Sequence, residues 1–136
     1  MEQMKDDEPV RLDMAKAMED QSLQHHYHLR DIMLKEMYAY INEQSKIGVR
    51  ATKIMVVWKK IPDSNDMKTI RLDIDNKPEA RIFKMVKNEL RQEGFKVKCR
   101  ATYARRILRD GHSIFIIQGV RFKIRWDHHK TNCIIS

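Results

Sequence analysis

The sequence predicts an α+β fold: an N-terminal helical segment, then a mainly antiparallel sheet, in the order α-β-β-α-β-β-β with the helices on one face. Three observations carry this reading. Apolar residues recur at three- and four-residue steps as far as Gly48, the period then switches to two, and a second helical stretch interrupts the strands between Asn76 and Gly94. At 136 residues the length suits one compact domain. Residues 1–48 read as a helical segment and oligomerisation arm, and residues 49–136 as a basic α+β core.

In the first segment Pro9 suits an opening helical turn, with Asp6, Asp7 and Glu8 ahead of it to complement the positive helix start. Leu12, Met14, Ala15 and Met18 follow at loosely helical spacing. From Ser22 onward Leu29, Ile32, Met33, Met37, Tyr40 and Ile41 make one apolar stripe, and Gly48 supplies the stop. One long helix or two satisfy this pattern equally. A helix of that length overhangs the rest of the chain, and its surplus apolar face calls for a second subunit. A homodimer built through the N-terminal helix is therefore expected.

After Gly48, Thr52, Ile54, Val56 and Trp58 alternate with Lys53, Met55, Val57 and Lys59, a β-branched run that predicts a well-buried strand. The cluster Pro62-Asp63-Ser64-Asn65-Asp66 is turn chemistry. Ile70, Leu72 and Ile74 then alternate with Arg71, Asp73 and Asp75, so the two strands are expected to pair as a hairpin. Asn76 and Pro78 read as a helix cap and first turn, Ile82, Phe83, Val86 and Leu90 as the inward face, and Gly94 as the end. Phe95, Val97, Cys99, Ala101 and Tyr103 form the apolar phase of the next strand. Residues 104–111 read as an irregular connection. Ile114 to Ile117, and Val120, Phe122, Ile124 and Trp126, give two more strands joined by a short turn at Gln118-Gly119.

Charge carries the functional reading. The chain holds 27 Lys+Arg against 19 Asp+Glu, a net +8, and the excess is polarised. Residues 1–46 have 6 bases and 10 acids, and residues 47–136 have 21 bases and 9 acids. A body so basic attracts polyanions, of which DNA and RNA are the commonest. Lys96, Lys98 and Arg100 project from one strand at intervals of about 6.8 Å, and Arg121, Lys123 and Arg125 do the same from another, with no acid interrupting either set. Such spacing suits the repeat of backbone phosphates, and Arg105, Arg106 and Arg109 are placed to rim the surface. The expectation is a non-enzymatic nucleic-acid-binding protein that reads little sequence. The alternative is a small inhibitor or adaptor, of the kind phages and mobile elements carry, that docks an acidic protein surface or sequesters a small anionic ligand.

Catalytic signatures are missing: there is no P-loop, no G-x-S-x-G elbow and no H-E-x-x-H. Neither His25, His28 and Asp31 nor His128, His129 and Cys133 have a recognised metal-ligand spacing, so no metal and no cofactor are expected. With Cys99 and Cys133 the only cysteines, a disulfide framework is not expected and a reducing, cytoplasmic setting is. No apolar run approaches the ~20 residues of a spanning helix, and Met1 to Val10 lack the apolar core of a secretory signal. Cys133-Ile134-Ile135-Ser136 fits the C-a-a-X prenylation pattern, with Ser at the position that selects farnesyl.

Overall fold

The computed structural model describes residues 2–58 and 67–127, with residues 2–12 described as helical backbone alone. Its elements are α1 (Glu2–Lys46), β1 (Ala51–Trp58), β2 (Lys68–Leu72), α2 (Ala80–Gln92), β3 (Lys96–Ile107) and β4 (Ser113–Arg125). The strands lie in the order β2-β1-β4-β3, antiparallel except for β1 and β2. The expected α+β architecture is present, with both helices on one face of the sheet.

The N-terminal segment is a single helix that begins at Glu2 and carries Pro9 within it. It ends as the sequence predicts. Gly48, at φ +87°, donates its N–H to Ser45 O at 3.1 Å, and Val49 donates to Gln44 O at 3.0 Å. This reciprocal pair satisfies the last carbonyls, and the left-handed residue that it needs is a glycine. Leu29, Met33, Met37 and Ile41, spaced by four, are buried along one stripe of α1. Residues 13–22 are all exposed, so the N-terminal half of α1 projects from the body.

The second helix starts later than Asn76 and Pro78 suggest. Glu79 is its N-cap residue, in extended conformation, and makes no capping hydrogen bond. The Glu79 carboxylate is drawn instead to Arg81, with Oε2 3.4 Å from Nε, and lies 3.7 Å from Nε2 of the buried His26. Arg81 Nε also donates to His26 Nδ1 at 3.2 Å, which ties α1 to the start of α2. At the other end Tyr38 packs on Phe95, just beyond α2, with ring centroids 6.2 Å apart. The two helices therefore run side by side in the same direction.

Two expectations about the strands are corrected. β1 and β2 are not a hairpin: Ile54 faces Lys68 and Trp58 faces Leu72, a parallel register. Alternation reports which face of a strand is buried but is blind to its direction, and the turn cluster 62–66 falls outside the described residues. The last three predicted strands are two. β3 continues through Arg105 and Arg106 to Ile107, and β4 takes in both remaining stretches. The hairpin turn lies at Asp110-Gly111, where Gly111 has φ +88°, Leu108 donates to His112 O at 2.7 Å and His112 N–H donates to Asp110 Oδ1 at 3.0 Å.

Gln118-Gly119 marks a bulge instead of a turn. Thr102 faces Gly119 while Tyr103 faces Ile117, which leaves Gln118 as the extra residue. The slip exchanges the faces of β4, so that Ile117 and Phe115 fall on the same side as Val120, Phe122 and Ile124. Beyond it the hairpin leaves the body as an arm, and every residue from Tyr103 to Ile116 is exposed.

The core lies between the helices and the sheet. Phe122, Met33, Met37, Ile54, Ile70, Ile82, Leu90 and Ile124 are among its fully buried side chains. Phe83 stands at its centre, 6.2 Å from Trp58 and 6.3 Å from Phe122 by ring centroids. Burying each such side chain is worth about 1.5–3 kcal/mol.

Candidate nucleic-acid interface

The face of the sheet opposite the helices carries the cations. Because β3 and β4 are antiparallel, their wet phases meet in register: Lys96 faces Arg125, Lys98 faces Lys123 and Arg100 faces Arg121. The six strand cations predicted from sequence are thus three consecutive cross-strand pairs on one surface. β1 adds a seventh, since Lys53 faces Lys123 from the other side and completes a row of three lysines across three strands. Lys53 was legible only as the wet phase of its own strand. Its relation to Lys123 depends on the long-range pairing of β1 with β4, which no local pattern encodes.

Side chains directly opposite in such a ladder stand about 5 Å apart at Cβ, and like charges so placed repel one another. Among the described residues one carboxylate relieves this. Asp127 accepts a hydrogen bond from Arg125 Nη2 at 2.9 Å, and that bond, with the charges of Arg125 and Lys96, holds its carboxyl below the usual carboxylate range. No described carboxylate lies within ion-pair distance of Lys53, Lys98, Arg100, Arg121 or Lys123. The positive surface also wraps round the outer edge of β3. Arg91, in the last turn of α2, donates from Nη2 to Val97 O at 3.0 Å. It borders, with Phe95, Lys96, Lys98, Lys123 and Arg125, a groove of about 400 Å³. Sequence reading missed Arg91, which belongs to a helix and meets the strand edge only in the folded chain.

The three arginines expected at the rim separate. Arg106 is in phase with Lys98 and Arg100 and extends the cationic surface onto the arm, Arg105 falls on the opposite side, and Arg109 sits in the turn at the tip. Among the described residues the sheet face itself carries no aromatic side chain, and Phe95 reaches only the groove at its edge. Phe122 is buried, Phe95 packs edge-on against Trp126 at 6.4 Å, and Tyr103 lies out on the arm. Among the described residues the sheet face offers a row of cations and no aromatic platform of the kind on which bases stack.

Other chemistry finds less support. Among the described residues no three His, Cys, Asp or Glu side chains converge on one point, and His128, His129 and Cys133 lie outside those residues. The Cys99 thiol is half-buried, and burial pushes its pKa up while Lys87 pulls it partly back. No described helix is long and apolar enough to cross a membrane. No family model, curated protein or solved structure matches the chain.

Proposed function

We propose that this chain binds DNA or RNA through the backbone phosphates, without catalysis, inside a reducing compartment and as a dimer built through α1. The observation that carries the reading is the stack Lys96–Arg125, Lys98–Lys123 and Arg100–Arg121: three like-charged pairs in successive register positions, flanked by Lys53. Each pair is unfavourable in the free protein, so a row of anions laid across the strands lowers the energy of the whole array. A phosphate backbone is such a row. Binding of this kind is electrostatic, is driven by release of counterions and is indifferent to base identity.

Titration of labelled single-stranded and duplex oligonucleotides across a salt series tests this. Six phosphate contacts predict a slope of log K against log salt of about −5 on duplex DNA. Charge reversal at Lys98, Arg100, Arg121 and Lys123 is expected to abolish binding while circular dichroism stays unchanged. No binding by the natural chain at low salt would overturn the proposal and turn attention to acidic proteins or small anions.

A further inference from the structure

Two prongs leave the body at the same end. His26 meets the start of α2 and Tyr38 meets Phe95 just past its end, so the N-terminal half of α1 extends beyond the start of α2. β3 turns back at Gly94 and runs against α2, so the β3–β4 arm extends past that same point. The prongs differ in chemistry. The described part of the helical one carries Asp13, Glu19 and Asp20 against Lys16, with Met14 and Met18, one turn apart, 59% and 55% exposed.

At the base of the arm, on the helix side of the sheet, lies an open groove of about 300 Å³. Its floor is Phe83, Cys99, Ala101, Ile117 and Val120, and its wall is the flank of α2 that presents Ala80, Lys84 and Lys87. Tyr103 and Phe115, 59% and 71% exposed, extend the apolar floor onto the arm. Phe83 and Val120 are buried while Cys99, Ala101 and Ile117 are only half-buried, so the floor is partly open core, edged by lysines. α1 packs on α2, β1 and β2, and residues 13–22 of its projecting half are all exposed, so its own projecting half does not fill the groove.

We infer that the groove receives the acidic, Met-bearing half of α1 from a second copy of this chain. Met14 and Met18 enter the apolar floor, and Asp13 and Asp20, seven residues apart on one flank of that stripe, meet Lys84 and Lys87. A twofold axis makes the exchange reciprocal: each copy gives one helix and one groove, so every contact occurs twice. The cationic surface lies on the other side of the sheet and stays free. The inference rests on the dimer proposed above and assigns its contacts.

Analytical ultracentrifugation of the full chain, without nucleic acid, tests it with two variants, Lys84→Glu/Lys87→Glu in the groove and Asp13→Lys/Asp20→Lys on the helix. The natural chain is expected to dimerise, each variant alone to dissociate roughly tenfold or more readily, and an equimolar mixture of the two to recover the dimer. Recovery on mixing excludes misfolding as the cause, because both contacts of the mixed pair are again complementary. With Cys133→Ser as background, alkylation of Cys99 should slow as concentration rises and the groove fills. A natural chain that stays monomeric overturns the inference together with the dimer itself. A dimer that survives either variant, or variants that fail to recover on mixing, overturn only the assignment of the groove.

Discussion

Gly119 lies against the backbone of Val56: a Cβ built on it would stand 2.6 Å from the Val56 carbonyl oxygen and 3.1 Å from Met55 Sδ. The bulge at Gln118 therefore sits where β4 lies tight against β1, and the nearest obstacle to a larger residue is main chain. Gly119→Ala is expected to lower stability by about 1–3 kcal/mol, as overpacking of a tight site does. Urea unfolding should show a lower midpoint with an unchanged slope.

Phe122 joins the two layers, fully buried beneath Phe83 and opposite both Ile54 and Cys99. Truncation to Ala removes a ring from the centre of the core, and a loss of about 3–5 kcal/mol is expected by denaturant titration. Phe122→Leu should lose much less. An equal loss for both would show that the aromatic contact, more than volume, is what the site requires.

Separation of the arginines by face gives a sharper check on the phosphate reading. Replacing Lys53 with Ala should make the salt slope on duplex DNA shallower by about 0.9, the loss of a single phosphate contact. Arg105→Ala, on the opposite side of the arm, should leave that slope where it was. If the two substitutions act alike, the ligand does not lie along the open sheet.

The carboxyls of Asp110 and Asp127 are both held below the usual carboxylate range, the first by hydrogen bonds from the backbone and side chain of His112, the second chiefly by Arg125. A depressed folded pKa stabilises the fold above the unfolded value of about 3.9, and that contribution disappears as pH falls through the lower folded value. The arm tip and the end of β4 are expected to loosen only in that acid window. Carboxyl shifts followed by NMR between pH 6 and 2 give both midpoints, and a midpoint at or above 3.9 for Asp110 would refute the tip geometry.

The limits of sequence reading follow from physical range. The stripe at Leu29, Met33, Met37 and Ile41, the stops at Gly48 and Gly94 and the two cationic strand phases depend on neighbours within a few residues, and they were legible. The sense of β1 relative to β2 was not, since Ile54, Val56 and Trp58 look the same from either direction. Gly119 misled because a glycine after Gln118 suits a turn as well as a close approach of two strands. Only the structure shows Val56 beside it. The three like-charged pairs were half legible: each triplet stands out alone, while their register depends on the turn at Asp110-Gly111 together with the bulge at Gln118.

The pairing of β1 also sets an order of assembly. β3 and β4 zip from a short turn, on the microsecond scale of isolated hairpins, whereas β1 must find Val120 and Arg125 across about half of the chain. During synthesis on the ribosome β1 emerges long before β4 exists, apolar on both sides with Ile54, Val56 and Trp58 on one and Met55 and Val57 on the other. Until its partner arrives, this two-sided apolar strand is open to aggregation and to capture by chaperones.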